Sequence, residues 1–329
     1  MRSIPLPLTP SREGRGDPDA RTTLGDGIGP TLRTQALRAP ALALALATLF
    51  WSGNFIAGRA LRGAVDPFTL NFLRWAIALA CLAPFAWPRD AAVWRALLRE
   101  WRLVAALGLT GIACFHTMSY YALQQTTAAS ALLVLSLAPV ATMIGAMAIE
   151  RACPSPRQAG GMALSLFGAA VLVTRGSLHL PVGGFNAGDL IMLVGTVVWA
   201  SYSLLLRKRP AAIPPITLLA ASAAAALLMM APFVWLTGTT RLATLARAEV
   251  LLPLLYVAVF ASAIGFRLWS YGVASLGPAR AGQFVHLMPV FGPVLSFLLL
   301  GEAPVAAQVA GGALVLAGIA LAEWRRNPG

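Results

Sequence analysis

Ten apolar stretches joined by short polar connections make up most of this chain and decide what it can fold into. They cover approximately residues 41–60, 66–87, 103–123, 127–149, 158–174, 189–206, 214–236, 250–273, 279–300 and 305–323. A helix that crosses a bilayer needs about 20 consecutive apolar residues, and each stretch is close to that length. Because every backbone polar group must be satisfied inside lipid, stretches of this length are expected to be helical. The sequence therefore predicts an all-α polytopic membrane protein with ten transmembrane helices.

The amino-acid composition supports a membrane protein and excludes most other classes of protein. Hydrophobic residues form 58% of the 329 residues and charged residues only 11%, whereas soluble domains are about 25% charged. The net charge of +13 comes mainly from arginines that stand singly between apolar runs, a pattern that marks orientation in a membrane and not a phosphate-binding patch. The three cysteines are scattered, so no metal site is expected. We expect neither a cofactor nor a nucleic-acid partner.

The basic residues also predict how the chain is oriented. With the N-terminus in the cytoplasm, 18 of the 25 Lys and Arg residues fall on the cytoplasmic side, five on the other side, and two inside spans. This is a positive-inside bias. Residues 1–40 carry six arginines, four acids and no apolar run, which indicates a disordered cytoplasmic tail; residues 324–329 form a second one. We expect a multi-pass protein of the bacterial cytoplasmic (inner) membrane, with both termini in the cytoplasm.

The chain repeats itself, with residues 41–175 matching residues 189–323. The matched pairs share residue types that seldom agree by chance in alanine-rich helices. They are Trp51 with Trp199 and Pro67 with Pro215 at an offset of 148, and Pro139 with Pro289 and Gly168 with Gly318 at an offset of 150. Each repeat holds five helices, an odd number, so the second must enter the membrane from the opposite side. Two inverted repeats are an architecture of secondary transporters, whose substrate binds where the halves meet.

Several strings in these helices resemble those of a known family. They are "LFWSGNFIAGR" and "FTLNFLRWAIALACL" in the first half, and "QFVHLMPVFGPVLSFLLLGE" and "AGGALVLAGIALA" in the second. The chain resembles the drug/metabolite transporter superfamily, specifically the EamA-like ten-helix proteins, over about residues 41–323. The resemblance implies export or exchange of small metabolites, often amino acids. It also implies a central cavity lined mainly by helices 1, 3, 4, 6, 8 and 9.

Candidate residues for a substrate pathway fall into three kinds. Prolines in mid-span remove a backbone donor and free a carbonyl, a charge inside the membrane is a functional candidate by default, and amphipathic or polar side chains can line a binding cavity. The candidates are Trp51, Asn54, His116, Tyr121, Ser136, Pro139, Trp199, Tyr202, Arg267, Tyr271, Gln283, His286 and Pro289. Each also has a structural reading, as a kink, an interfacial aromatic residue or a helix contact.

Two arginines, Arg74 and Arg267, are the ionised residues well inside predicted spans. Either could bind an anionic substrate or extend its side chain to the headgroups; we favour Arg267 for the first role and a peripheral structural role for Arg74. The acids all fall at span ends or in loops. An interior with arginine and without acid favours substrates that carry a carboxylate over lipophilic cations.

The sequence predicts a secondary transporter that exports or exchanges amino acids or other carboxylate-bearing metabolites by alternating access. The Walker A pattern G-x-x-x-x-G-K-[ST] is absent, so no ATP motor is expected. A drug or nucleotide-linked metabolite exporter of the same fold is the alternative. An intramembrane hydrolase is a remote one, since H-E-x-x-H and G-x-S-x-G are also absent. The expected partners are the lipid bilayer and a small-molecule substrate, with the protein a monomer or a homodimer.

Overall fold

The computed structural model describes residues 30–88, 90–151, 153–173, 186–276, 281 and 283–323. All regular structure in these ranges is helical. The predicted tail of residues 324–329 and most of the predicted tail of residues 1–40 lie outside the described residues. The first helix already begins at Pro30, within the range assigned to the N-terminal tail.

Ten helices make up most of the described part of the chain. They are α1 (Pro30–Ala60), α2 (Pro67–Ala86), α3 (Trp101–Gln125), α4 (Ala128–Ile149), α5 (Pro156–Val173), α6 (Ala187–Leu206), α7 (Pro215–Thr237), α8 (Ala248–Leu276), α9 (Phe284–Leu300) and α10 (Ala306–Glu323). Two short helices, Ala91–Arg99 and Leu242–Leu245, lie in the connections. Seven of the ten, α1 to α4 and α6 to α8, are long and apolar enough to cross a membrane, and α9 and α10 are shorter apolar helices. The prediction of an all-helical, multi-pass membrane protein is confirmed.

Several helices begin next to a side chain that accepts a hydrogen bond from one of their first backbone N–H groups, or with a residue that has no N–H group. The side chain of Asp66 accepts a hydrogen bond from Thr69 N at 2.9 Å, and Pro67, which has no N–H, opens α2. Asn186 accepts from Gly188 N at 2.8 Å at the start of α6. These are N-caps, and they fix where the helices start.

Four helices contain interruptions, and these occur at matching places in the two halves. Wider π-helical turns lie at Gly108–Cys114 in α3 and at Tyr256–Ile264 in α8. The chain also tightens just before each mid-span proline, at residues 136–137 before Pro139 and in the 3₁₀ turn Gln283–Leu287 before Pro289. Such irregular turns are common at functional sites.

Helices α5 and α10 pack along each other through a reciprocal contact. A Cβ added to Gly168 would lie 2.7 Å from the carbonyl oxygen of Gly311, and one added to Gly318 would lie 2.5 Å from that of Gly161. Gly318 follows Gly168 by 150 residues, and Gly311 follows Gly161 by the same number. The two helices therefore present the same surface to each other, as in a contact with two-fold symmetry.

Polar contacts tie the helices together at one end of the bundle, which we call the Arg59 end. Arg59 Nε lies 2.8 Å from Glu302 Oε1, and Arg59 Nη1 donates to the carbonyl oxygen of Leu123 at 2.8 Å. Asp66 accepts from Thr240 Oγ1 at 2.8 Å at the same end. The opposite end, which we call the Arg207 end, includes the C-terminus of α6 and the contact between Thr217 Oγ1 and the carbonyl oxygen of Ala86 at 3.0 Å.

The outer faces of the bundle expose large apolar side chains. Leu228 on α7 is 76% exposed and Leu298 on α9 is 68% exposed, and Phe167 on α5 is also exposed. Apolar surface on this scale is unfavourable in water and marks contact with a membrane. The polar side chains that are buried lie between helices.

Candidate functional site

A cavity of about 680 Å³ lies between α1, α2, α3, α4, α6, α7, α8 and α9. It includes Asn54 of α1 and His116 of α3 near the middle of the bundle and continues to Arg207, an exposed residue after α6. None of the residues that join the helices at the Arg59 end lines it. The cavity thus reaches the surface at the Arg207 end and does not extend to the contacts at the Arg59 end.

Aromatic rings form two facing parts of the cavity wall. On one side Trp51 of α1 packs against Phe266 and Trp269 of α8, with ring centroids 5.3 and 5.1 Å away. Trp51 also donates from Nε1 to the carbonyl oxygen of Ala261 at 3.0 Å, a carbonyl in the π-helical turn of α8. This hydrogen bond holds the indole ring in place.

The other aromatic cluster surrounds Trp199, the repeat counterpart of Trp51. Trp199 of α6 packs against Phe115 and Tyr202, with ring centroids 4.7 and 5.0 Å away. The ring of Tyr202 lies over Gly111 in the π-helical turn of α3, so closely that a Cβ on that glycine would clash with it. Each tryptophan therefore packs beside the widened turn of the opposite half, and this arrangement gives the cavity an apolar, aromatic lining.

The charged residues of the cavity are all basic. Arg74 lines its deep part, and Arg207 and Arg209 line its mouth. No Asp or Glu occurs among the described residues that line it. A surface of one sign in a low-dielectric cleft attracts ligands of the opposite sign, so the cavity favours anions.

Arg74 is held by a chain of neutral hydrogen bonds. It is 1% exposed, with Nε 2.7 Å from Ser262 Oγ and Nη1 3.0 Å from the Tyr120 hydroxyl oxygen. The Tyr120 hydroxyl in turn donates to Asn54 Oδ1 at 2.8 Å. The chain joins α8, α2, α3 and α1 across the closed side of the cavity.

Oγ of Ser222 is buried at the cavity and has no hydrogen-bond partner within the described structure. Buried polar atoms are nearly always hydrogen-bonded. A polar ligand or water in the cavity would supply the missing partner.

Five residues of the sequence-based set line this cavity. They are Trp51, Asn54, His116, Trp199 and Tyr202. They come from three helices that the chain separates widely, and the fold brings them around one space.

Other members of the set lie elsewhere. Arg267 is exposed, with its guanidinium carbon 4.3 Å from the centre of the Phe85 ring, in a smaller pocket between α2, α7 and α8. Tyr121 and Tyr271 are 40% and 50% exposed and do not line the cavity.

The predicted residues at the two interruptions before the prolines, Ser136, Pro139, Gln283, His286 and Pro289, are not among the described residues that line the cavity. Pro139 and Pro289 open the regular segments Ala138–Glu150 and Met288–Leu300, whose first residues do line the cavity. Ser136 donates to the carbonyl oxygen of Leu133 within α4. His286 is half-buried, and the side chain of Gln283 lies outside the described ones.

The structure brings three residues to this site that are outside the sequence-based set, namely Arg74, Tyr120 and Ser262. Arg74 was assigned a peripheral role, yet it is buried at the cavity. Its partners Tyr120 and Ser262 carried no strong signal, since single hydroxyl residues are common in membrane helices. The one usable signal was the position of Arg74 in mid-span.

Asp189 is a further buried charge, away from the cavity. It is fully buried in the first turn of α6 and accepts hydrogen bonds from Thr126 Oγ1 and, at 2.7 Å, from Ser130 Oγ. An acid in the first turn of a helix is stabilised by the helix dipole. The position of Asp189 at a span end does not indicate that its carboxylate is buried.

Comparison with known proteins identifies a family match over nearly the whole chain. The model of the EamA-like transporter family matches twice, at residues 38–174 and 186–324. An "uncharacterized transporter" of Archaeoglobus fulgidus is 28% identical over 287 residues, which cover 87% of this chain and 98% of that protein. A "probable terminal-alkyne amino-acid exporter" of Streptantibioticus cattleyicolor is 26% identical, covering 86% of this chain and 93% of its own.

Two further proteins are similar to this chain. A "probable amino-acid metabolite efflux pump" of Salmonella typhimurium is 28% identical over 173 residues, which cover 50% of this chain and 56% of that protein. A protein of solved crystal structure aligns with a TM-score of 0.60 and 23% identity, covering 87% of this chain and 96% of its own. At this identity the structural match supports the fold alone.

Proposed function

Since the chain belongs to the EamA-like transporter family, we propose that it is a secondary transporter that exports or exchanges small metabolites carrying a carboxylate, such as amino acids. The observation that carries the proposal is the charge of the cavity, which has Arg74, Arg207 and Arg209 in its lining and no acid among the described lining residues. A carboxylate would be attracted to this cavity and a lipophilic cation repelled. The names of the relatives from Streptantibioticus cattleyicolor and Salmonella typhimurium point to amino acids and their metabolites.

We further propose that ten helices cross the membrane as two inverted repeats of five. The family model matches two segments whose starts are 148 residues apart, close to the offsets that align Trp51 with Trp199 and Pro139 with Pro289. The paired interruptions and the reciprocal contact of α5 with α10 support a two-fold relation between the halves. Two related halves give the pathway two related gates, as alternating access requires.

The cavity suggests which state of that cycle is present. It reaches the surface at the Arg207 end, while Arg59 and Glu302 close the other end. With the orientation predicted by the basic residues, the open side is the cytoplasmic one, from which an exporter loads. The absence of a Walker A motif leaves gradients of substrate or of a second solute as the source of energy.

Counterflow in proteoliposomes tests this function. Vesicles preloaded with one unlabelled compound should take up its labelled form, and the panel should include amino acids, organic acids and lipophilic cations. We expect uptake of carboxylate-bearing compounds. Uptake of lipophilic cations alone would contradict the proposal and favour a drug exporter, and hydrolysis of a panel compound would favour an enzyme.

A further inference from the structure

The buried guanidinium of Arg74 has no carboxylate partner in the described part of the chain. Its Nε and Nη1 bond to the hydroxyl oxygens of Ser262 and Tyr120, at 2.7 and 3.0 Å. Its third nitrogen, Nη2, makes no hydrogen bond to a described residue, and Arg74 lines the cavity. Removing an ion from water is unfavourable unless a counter-ion and hydrogen bonds compensate. This cation therefore lacks the compensation that a bound anion would give.

The hydroxyl groups bonded to Arg74 fix the orientation of its guanidinium group but do not neutralise its charge. The proton of Tyr120 goes to Asn54 Oδ1 at 2.8 Å, and that of Ser262 goes to the carbonyl oxygen of Val257 at 2.8 Å. Each hydroxyl thus presents only a lone pair to the guanidinium. The bond from Ser262 to Val257, five residues earlier, follows the π-helical turn of α8. A fixed guanidinium is suited to binding a carboxylate, because less conformational entropy is lost on binding.

The surroundings of Arg74 supply the other features that a small organic acid would need. The unpartnered Oγ of Ser222 and the imidazole of His116 lie in the same cavity. The rings of Trp51 and Trp199 line it as well. A site for a small ligand typically combines such an apolar lining with a few placed polar groups.

We propose that Arg74 is the residue that binds the carboxylate of the transported compound, with the apolar body of that compound against the aromatic walls. This deepens the proposed function and rests on it. The three neutral residues Ser262, Tyr120 and Asn54 are positioning residues, which orient Arg74. Arg207 and Arg209 at the mouth attract the anion, and Arg74 holds it at depth.

Matched ligands test the role of the carboxylate directly. L-Leucine and L-leucinamide differ in whether the group is a carboxylate or a neutral amide, and 4-methylpentanoate keeps the carboxylate and lacks the amine. Affinities for the purified full-length protein can be read from the fluorescence of the tryptophans that line the cavity. We expect the two carboxylates to bind at least about tenfold more tightly than the amide, a ratio that one charge-assisted hydrogen bond can supply. Equal affinities in the unaltered protein would overturn the proposal.

Two variants then assign that preference to one residue. Arg74→Gln should reduce the carboxylate-to-amide ratio to about twofold or less, and Arg74→Lys, which keeps the charge, should retain part of it. Arg267→Gln is the matched control, because it removes the other arginine well inside a predicted span, one that lies outside the cavity. Thermal unfolding identifies the variants that fold. A folded Arg74→Gln protein with the original ratio would overturn the proposal.

The outcomes also separate this inference from the proposed function. If carboxylates undergo counterflow equally well in the unaltered protein and in Arg74→Gln, the function stands and the role of Arg74 is wrong. If the unaltered protein prefers the carboxylates in binding through Arg74 and counterflow fails for the whole panel, the site stands and transport is wrong.

Discussion

At the scale of single residues, two arginines with the same sequence signature have different surroundings. Both interrupt apolar helices, yet Arg74 is 1% exposed at the cavity and Arg267 is exposed beside the Phe85 ring. A helix in a membrane is apolar on every side, so the sequence has no polar face that would show which way a residue points. Sequence reasoning could therefore find both charges and could not rank them.

The ion pair of Arg59 with Glu302 leads to a prediction about the closed end. Its side chains are 11% and 18% exposed, and Arg59 also bonds to the carbonyl oxygen of Leu123. Glu302→Gln removes the charge that holds the ends of α1 and α9 together. We expect this variant to open the Arg59 end more often. If the pair contributes about 1.4 kcal/mol to closure, the open population rises about tenfold.

The measurement is the rate at which a charged thiol reagent labels a cysteine in the cavity from that side. Leu135→Cys supplies the target, with the three native cysteines replaced by serine. Glu249→Gln is the control, since its pair with Arg247 is 3.9 Å long with side chains 66% and 75% exposed, and such surface pairs contribute little. Equal labelling rates in the two variants would show that the ion pair of Arg59 with Glu302 does not keep the Arg59 end closed.

The neighbouring residues Tyr120 and Tyr121 show the same limit on sequence reasoning. Tyr120 is 1% exposed and bonded to both Arg74 and Asn54, whereas Tyr121 is 40% exposed against Phe68. Consecutive residues of a helix point about 100° apart, and sequence reasoning chose the second of them. The repeat gave better guidance, because it paired Trp51 with Trp199, and both line the cavity.

At the scale of helices, the mid-span prolines predicted two of the four interruptions. Pro139 and Pro289 each lack an N–H and stand where their helix restarts, as proline chemistry requires. The π-helical turn in α3 contains Gly108 and Gly111, and the one in α8 follows Pro253, but proline also occurs inside helices of this chain that stay regular. The π-helical turns are stabilised by contacts from other helices, such as the hydrogen bond from Trp51 to the carbonyl oxygen of Ala261. Such contacts cannot be predicted from the sequence of a single helix.

The reciprocal contact of α5 with α10 leads to a prediction about stability. Gly168→Leu and Gly318→Leu each place a side chain against the backbone of the opposite helix. Overpacking of this kind costs about 1–3 kcal/mol. Because the two positions are equivalent in the repeat, we expect similar losses from both. The measurement is the midpoint of thermal unfolding in detergent for each variant.

Gly160 of α5 is the matched control for these glycines. A Cβ at Gly160 would have no atom within 4 Å, so Gly160→Leu should leave the midpoint unchanged or raise it, since leucine favours helix more than glycine does. A loss at Gly160 as large as that at Gly168 would mean that the effect comes from the leucine alone. A loss at only one of the two packed positions would contradict the two-fold relation of the halves.

At the scale of the whole molecule, the apolar spans predicted the class and the helix order well. Length and composition sufficed for this, because a span has to match the bilayer. The burial of Asp189 could not be read in the same way, since it depends on where the start of α6 meets Thr126 and Ser130. The cavity likewise depends on eight helices meeting at once, and no local pattern encodes that.

The direction in which the cavity opens bears on the proposed direction of transport. The cavity reaches the surface beside Arg207, and polar contacts close the Arg59 end. Lysine and arginine are far more frequent in the connections at the Arg207 end, and such residues stay on the cytoplasmic side. The open side should therefore face the cytoplasm, with Arg74 accessible to compounds made inside the cell.

Reporter fusions test this orientation. Alkaline phosphatase is active outside the cytoplasmic membrane, and green fluorescent protein fluoresces inside it. Phosphatase fused after residue 63 or residue 240, both at the Arg59 end, should be active, and the fluorescent protein fused after residue 151 or residue 209 should fluoresce. The reverse pattern would place the open cavity on the outside, where it would load compounds for uptake. Residues 63 and 209 each follow the first helix of a half, so an inverted repeat places them on opposite sides of the membrane. If the fusions placed both on the same side, the result would instead contradict the inverted repeat.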